Sequence, residues 1–176
     1  MKAKNTVKIK KDNPMRKIFI EKVILSAGGT ADNLAKAKKL LEYLTNRKAQ
    51  LIASRKRIPD FGVRPGLEVG TRVTLRGRDA VQSLKQLLGA IDNTIKKKQV
   101  SSNHFSFGIP EYIEIPGTEY KREIGIRGLN VTISFARPGK RVARRKLKQG
   151  NLPKRQAIPQ EEIIRYMEEN FKTKIN

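Results

Sequence analysis

The sequence predicts an α+β domain in which a mostly antiparallel sheet is covered on one face by two long helices. Several segments alternate apolar and polar residues as strands do, two segments have helical apolar spacing, and Gly and Pro interrupt the pattern between them. The 176 residues fit one such domain with basic extensions. We place a loose basic arm at 1–12, the α+β domain at 13–136, and a basic C-terminal extension with a terminal helix at 137–176.

The first strand and the first helix are predicted between residues 18 and 45. Residues 18–25 form a short β-branched run, and the glycines at 28–29 supply a permissive turn. The apolar residues that follow recur at steps of three and four, namely Leu34, Ala37, Leu41 and Leu44. This spacing predicts an amphipathic helix, which Thr30 or Asp32 would cap.

A second strand is predicted at 50–54, followed by a loop at 55–66 in which Pro and Gly interrupt any regular pattern. From Leu67 to Leu75, apolar or β-branched residues alternate strictly with other residues, which predicts a third strand. A second helix is predicted at 79–97 from the spacing of Val81, Leu84, Leu88, Ile91 and Ile95. The lysines at 96–98 would complement the negative end of that helix.

Residues 99–128 are rich in Gly, Pro, Ser and Asn, and we expect only a short strand there, at 112–115. The alternation from Leu129 to Phe135 predicts another half-buried strand, with which the core closes. A short C-terminal helix is predicted to open at Pro159 and to bury Ile163, Ile164, Met167 and Phe171.

The composition predicts a polyanionic partner. Lys and Arg number 39 against 16 Asp and Glu, which gives a formal net charge of +23. No apolar run is long enough to span a membrane, so an integral membrane protein is excluded. The absence of Cys removes thiol nucleophiles and Cys-type zinc sites, and the single histidine, His104, leaves no pair for imidazole-based metal ligation, so we expect no catalysis, metal or cofactor. His104 itself is interpreted as a packed or surface residue.

Two features predict contact with nucleic acid. If the helices cover the apolar face of the sheet, its other face presents the polar residues of the strands, which are Arg72, Thr74, Asn130, Thr132 and Ser134. The alternative is an ordinary exposed sheet, where Thr and Ser are common. The second feature is a basic segment at 137–155 that contains nine cations and no acid: Arg137, Lys140, Arg141, Arg144, Arg145, Lys146, Lys148, Lys154 and Arg155.

With no acid nearby, these cations are expected to lack an internal partner and to contact phosphates, although a solvated tail is the alternative.

Two loops each allow a functional and an ordinary structural interpretation. The turn at 28–29 is either an ordinary turn or a phosphate site at a helix N-terminus. In the loop at 55–66, Phe61 either stacks on a base or packs locally.

Several motifs, in the same order and at similar spacing, resemble the universal large-subunit ribosomal protein L-five family, numbered eleven in eukaryotes, in its archaeal and eukaryotic form. They are Asn13-Pro-Met-Arg16, Ile20-Glu-Lys-Val-Ile-Leu25, Leu41-Glu-Tyr-Leu-Thr45, Ile58-Pro-Asp-Phe-Gly62, Val73-Thr-Leu-Arg-Gly77, Phe105-Ser-Phe-Gly-Ile109, Ile115-Pro-Gly117, Ile124-Gly-Ile126 and Arg137-Pro-Gly139. These motifs lie between Asn13 and Gly139, and the resemblance covers about residues 13–171.

The resemblance implies a non-enzymatic constituent of the large ribosomal subunit that binds 5S ribosomal RNA in the central protuberance. The 5S contacts it implies are Asn13, Arg16, Ser26, Gly28, Arg47, Arg72, Thr74 and Arg76. Its loop would face peptidyl-site tRNA through Arg55, Lys56, Arg57, Phe61 and Arg64. Ser26 stands where relatives usually carry Asn, and Asn46-Arg47 replaces their Gly-Gln.

The other implied partners are large-subunit RNA, a neighbouring 5S-binding protein and a small-subunit head protein across the intersubunit bridge. The implied location is the cytoplasmic ribosome, with nucleolar assembly if the source is eukaryotic. The alternative function is that of a free-standing RNA chaperone or regulator.

Overall fold

The computed structural model describes residues 13–176, and the predicted basic arm at 1–12 lies outside them. The main sheet has six strands, which are β1 (Phe19–Gly28), β2 (Gln50–Ala53), β3 (Glu68–Leu75), β5 (Val100–Ser101), β6 (His104–Ile109) and β7 (Leu129–Ala136). Their order is β2-β3-β1-β7-β6-β5, with antiparallel pairing throughout. A second, two-stranded parallel sheet consists of β4 (Thr94–Ile95) and β8 (Lys174–Ile175). The predicted α+β class is confirmed.

The helices α1 (Asp32–Thr45) and α2 (Gly77–Gly89) cover the apolar face of the six-stranded sheet. From α1 the core receives Leu40 and Leu41, and from α2 it receives Leu84 and Leu88. The predicted cap of α1 is wrong. Ala31 precedes the helix without a side-chain hydrogen bond, and Thr30 contributes its backbone carbonyl, which accepts from the Asn33 amide.

The second helix is shorter than the apolar spacing predicts, because it ends at Gly89 rather than at residue 97. The chain turns at Asp92 and Asn93, which both have positive φ, and the Asn93 amide donates to the Leu88 carbonyl. Ile95 is still buried, but it lies in β4 rather than on the helix. The lysines at 96–98 therefore do not lie at the C-terminus of α2, contrary to the prediction, and Lys97–Gln99 forms a 3-10 helix instead.

Residues 99–128 contain more structure than predicted. β5 and β6 were not predicted, although Phe105, Phe107 and Ile109 alternate and are buried. The strand predicted at 112–115 is wrong, since Tyr112–Glu114 is a 3-10 helix. Tyr112 is completely buried, and its hydroxyl accepts a hydrogen bond of 2.9 Å from the Lys121 amide. The buried Tyr112 ring and its hydrogen bond anchor the irregular segment, as strand pairing anchors the neighbouring strands.

The core does not close at β7, because the C-terminal helix α3 (Gln160–Phe171) packs into it. As predicted, Ile163 and Met167 are buried. Tyr166 meets Phe135 of β7 edge to face, with ring centroids 5.6 Å apart. The residues after the basic segment therefore belong to the same core as the sheet.

The sheet has two ends that carry different segments. At the loop end, where Gly28 pairs with Gly70 and Ile109 with Leu129, lie the turn after β1, the loop at 55–66 and the segment 110–128. At the basic end, where Phe19 pairs with Ala136, the basic segment begins. The ten residues of β1 separate these ends by roughly 30 Å. Within residues 13–176, no helix is long and apolar enough to cross a bilayer.

Candidate nucleic-acid interface

The face of the six-stranded sheet that the helices leave uncovered, here called the open face, carries cross-strand rows of mostly polar side chains, many of them short. The strand register gives three rows, which are Gln50-Arg72-Ser26-Asn130-Gly108, Thr74-Ile24-Thr132-Ser106 and Lys22-Ser134-His104-Ser101. None of these row residues is acidic and two are cations, while the acidic Glu68 lies at the loop end of the same face. Such a face suits close approach by a polyanion, because short side chains do not hold the backbone of the partner away.

Arg72 is the best-placed cation of the open face. It is exposed between Gln50 and Ser26, and its Nε donates a hydrogen bond of 3.1 Å to Gln50 Oε1. This bond orients the guanidinium and leaves its terminal nitrogens available to a ligand. Thr74 is exposed two residues further along the same strand.

The structure brings together four of the eight predicted 5S contacts on the open face, where Ser26, Arg72 and Thr74 lie in the cross-strand rows and Gly28 follows two residues after Ser26 in β1. Arg76 follows directly at the end of β3. The others lie elsewhere. Asn13 and Arg16 flank a short 3-10 helix before β1, where the Asn13 side chain accepts from the Met15 amide at 3.0 Å. Arg47 is paired with Asp79 of α2 on the helix side.

The turn after β1 keeps both of its interpretations. Gly28 is paired with Gly70 in the sheet, and the Gly29 amide donates to the Val69 carbonyl at 3.1 Å. A phosphate at a helix N-terminus needs unpaired amides, so the Gly29 amide is not available to one. An ordinary turn and a phosphate site on the amides of residues 30–32 at the start of α1 both stay predictions.

The loop at 55–66 is a hydrogen-bonded hairpin rather than the irregular loop that was predicted. Its base is closed by hydrogen bonds between Ser54 and Leu67 and between Gly66 and Ser54, and its tip by a β-bridge between Ile58 and Val63. Pro59–Phe61 forms a 3-10 helix that Gly62 ends with a φ of 63°, a conformation that glycine adopts without strain.

Phe61 projects from this hairpin with 77% of its surface exposed, which excludes the local packing role. Val63 provides the anchor instead, with 5% exposed. The cations Arg55, Lys56, Arg57 and Arg64 are all exposed around the same hairpin. An exposed aromatic ring among cations is suited to stacking on a base or ribose beside a phosphate backbone.

In the basic segment, the prediction that no cation has an internal partner is wrong. Arg137 is only 5% exposed and is paired with Glu162 of α3. Lys140 and Arg144 both pair with Glu21 of β1, and the Lys140 Nζ lies 2.8 Å from Glu21 Oε2. The six other cations of the segment are exposed, namely Arg141, Arg145, Lys146, Lys148, Lys154 and Arg155.

The basic segment is a closed loop, not a tail, because its two ends meet. Arg137 Nη1 donates to the Arg155 carbonyl at 3.0 Å, and the Gln156 amide side chain donates to the Pro138 carbonyl. Inside the loop, the Gly150 amide donates to the Val142 carbonyl. The exposed cations are therefore displayed on a chain whose ends are fixed.

Sequence reasoning missed several residues of the open face, above all those of β6. His104 and Ser106 belong to it, and so does Lys22 of β1. The alternation of Phe105, Phe107 and Ile109 is the signal that identifies β6. His104 is a surface residue, and its Nδ1 lies 3.1 Å from the Ser102 carbonyl.

Comparison with known proteins bears on this surface. Residues 68–154 match the model of the C-terminus of the ribosomal protein L-five family. A protein of Nanoarchaeum equitans named large ribosomal subunit protein uL5 is 42% identical over 167 residues, which cover 93% of this chain and 99% of the relative. The chain belongs to the ribosomal protein L-five family.

Other members of the L-five family are similar to the same extent. A uL5 of Sulfolobus acidocaldarius is 40% identical over 169 residues, covering 94% of this chain and 95% of the relative. A uL5 of Sulfurisphaera tokodaii is 41% identical over 167 residues, covering 93% of this chain and 94% of the relative. The resemblance seen in the sequence is confirmed. The L-five family is structural and non-enzymatic, so this chain is a ribosomal protein and not an enzyme.

Proposed function

We propose that this protein is a structural constituent of the large ribosomal subunit and holds 5S ribosomal RNA on the open face of its sheet. The observation that supports the 5S assignment best is the open face itself, where Arg72, Ser26 and Thr74 lie among short polar side chains. The subunit assignment rests on family membership and on the names of the archaeal relatives.

The second part of the proposal concerns the hairpin at 55–66, which we assign to peptidyl-site tRNA. The hairpin lies at the loop end of the sheet and the basic segment begins at the other end, and the length of β1 separates these ends by roughly 30 Å, so the two can engage different RNA molecules. The Phe61 ring is exposed, and its neighbours Arg55 and Arg64 are exposed cations. Stacking and charge are the means by which proteins hold RNA without reading its sequence.

The third part assigns the exposed cations of the basic segment to phosphates of ribosomal RNA. Arg137 is not included, because it is buried and paired with Glu162. The proposal extends to a neighbouring 5S-binding protein, a small-subunit head protein across the intersubunit bridge and a location in the cytoplasmic ribosome. Assembly in the nucleolus would apply to a eukaryotic source only.

The test is a binding titration of the purified protein with 5S ribosomal RNA and with an unrelated RNA hairpin of equal length. If roughly six to ten phosphates are neutralised, raising the salt from about 50 to about 200 mM lowers the affinity by about 10³ to 10⁵. At the higher salt, 5S RNA is expected to stay bound while the hairpin dissociates. Equal affinity for both RNAs at that salt would refute specific recognition.

Copurification separates this proposal from a free-standing RNA chaperone. A structural constituent stays in large subunits in a one-to-one ratio with 5S RNA after a high-salt wash. A chaperone that dissociates after assembly is lost in the same wash.

A further inference from the structure

Glu21 is an acidic residue inside a strand, at a place where the strand is irregular. In the pairing of β1 with β7, Ile20 faces Phe135 and Lys22 faces Ser134, so Glu21 is the extra residue of a β-bulge. A bulge turns one side chain away from the regular alternation of the strand, and such bulges are used to aim that side chain. The bulge thus directs a carboxylate out of the alternation of β1.

The carboxylate of Glu21 is almost fully enclosed, with 7% of its side chain exposed. It accepts a hydrogen bond of 2.8 Å from the Lys140 ammonium through Oε2, and the Arg144 guanidinium pairs with Oε1. Burial raises the pKa of Glu21, but Lys140 and Arg144 outweigh it, so this pKa lies below its ordinary value. The carboxylate is therefore charged at neutral pH and binds two cations at once.

These two cations lie in the first half of the basic segment, which is also closed at its base by hydrogen bonds of Arg137 and Gln156. Glu21 fixes the residues between 140 and 144, and the base contacts fix the ends. The exposed cations beyond Arg144, beginning with Arg145 and Lys146, are then presented on an ordered chain. An ordered chain loses less conformational entropy on binding than a loose one.

We propose that Glu21 is a positioning residue for RNA binding, which holds the basic segment in a preformed arrangement from which its exposed cations contact phosphate. This proposal rests on the proposed function, since it takes the basic segment as an RNA-binding surface. It makes a negative charge favourable for binding a polyanion, whereas electrostatic repulsion alone would make the same charge unfavourable. Whether RNA affinity falls or rises when this charge is removed therefore distinguishes positioning by Glu21 from electrostatic repulsion.

The experiment compares Glu21→Gln with Glu169→Gln in the full chain, with 5S ribosomal RNA as the probe. Both substitutions remove one negative charge. Glu169 is the matched control because it is exposed on α3 and forms no ion pair with any side chain in residues 13–176. We expect E169Q to bind as tightly as the wild type or slightly more tightly. We expect E21Q to bind about tenfold more weakly, because one or two more side chains must then be ordered on binding.

Hydrogen exchange supplies a readout that a general loss of stability would not give. In E21Q, the amide of Gly150 inside the basic segment is expected to exchange about tenfold faster through local opening, whereas exchange of the Val131 amide in the core of β7 changes only as the free energy of global unfolding changes. Glu21→Asp retains the carboxylate and is expected to restore part of the affinity. If E21Q fails to fold, Glu21→Asp takes its place in the binding test. This variant should loosen the basic segment only in part, and its RNA affinity should fall in proportion to the faster exchange of the Gly150 amide.

Binding of E21Q that equals or exceeds that of the wild type would overturn the proposal, as would weaker binding with unchanged exchange at Gly150. Failure of the proposed function would give a different experimental result from failure of the proposal for Glu21. In that case the wild type itself does not distinguish 5S RNA from the unrelated hairpin, or neutralising Arg145, Lys146 and Lys148 leaves RNA affinity unchanged.

Discussion

Ser26 of β1 lies directly opposite Arg72 of β3 in the antiparallel ladder, on the face of the sheet that the helices do not cover. On its other side Ser26 faces Asn130 of β7. A guanidinium beside a hydroxyl and an amide can contact a phosphate and a base edge or ribose hydroxyl together. This arrangement is the centre of the proposed RNA surface.

Replacing Arg72 by Ala is expected to weaken 5S RNA binding by about 1 to 3 kcal/mol and to reduce the salt slope by about one, because one phosphate contact is lost. The matched control is Arg78→Ala, which removes another exposed cation, from α2 on the helix side. Titrations at several salt concentrations measure both values. Equal losses for the two variants would mean that net charge, and not the open face, determines binding.

Replacing Phe61 and Arg64 together by Ala is expected to leave thermal stability and 5S affinity unchanged. Both side chains are exposed, and the hairpin is anchored by Val63 and by its own hydrogen bonds. Peptidyl-site tRNA should bind about 2 kcal/mol more weakly, with each contact contributing on the order of 1 kcal/mol. Filter binding of tRNA to reconstituted ribosomes measures this. Loss of 5S binding with unchanged tRNA binding would assign the hairpin to the 5S surface.

Replacing Glu162 by Ala is expected to lower the free energy of unfolding by about 2 kcal/mol, since it leaves the buried Arg137 guanidinium without its carboxylate. The control is Glu161→Ala, an exposed neighbour in the same first turn of α3 with the same relation to the helix dipole. Urea unfolding measures the difference. If both variants lost the same amount, the effect would come from the helix terminus and not from the ion pair.

The ion pairs of Glu21 predict a pH dependence of stability. Lys140 and Arg144 hold the pKa of Glu21 below its ordinary value of 4.5, against the raising effect of burial. A depressed carboxyl pKa contributes stability that is complete above the unfolded pKa and is lost as the pH falls through the folded pKa. The wild type should therefore be more stable than E21Q by about 2 kcal/mol near neutral pH, and this difference should vanish in acid below the folded pKa. Urea unfolding of both proteins across this pH range measures it. A difference that stayed constant from neutral pH into acid would show that the carboxylate charge is not responsible.

The sequence predicted best those parts of the fold in which the apolar pattern is local. The strict alternation from Leu67 to Leu75 corresponds to β3, and the spacing from Leu34 to Leu41 corresponds to the buried stripe of α1. The second helix was overextended because Ile91 and Ile95 continue the helical spacing by chance. The turn at Asp92 and Asn93 depends on positive φ, which the spacing of apolar residues does not report.

The candidate site was predicted less completely than the fold, because many of its contacts join residues that are far apart in the sequence. The acid that pairs with Lys140 lies 119 residues away at Glu21, so the acid-free composition of the basic segment gave no indication of it. The closure of the segment on Arg137 and Gln156 is likewise nonlocal. Local patterns show where charges lie in the chain, whereas their partners are determined by the packing of the sheet against the segments around it.

The measurement that tests the central claim most directly is a cryo-electron microscopy map of the large ribosomal subunit purified from the organism that produces this chain. We predict one copy of the chain per subunit, with Ser26, Arg72 and Thr74 of the open face in direct contact with 5S ribosomal RNA. A map in which the chain is present but its open face is turned to solvent or to another protein, with 5S RNA held by other surfaces, would contradict the account.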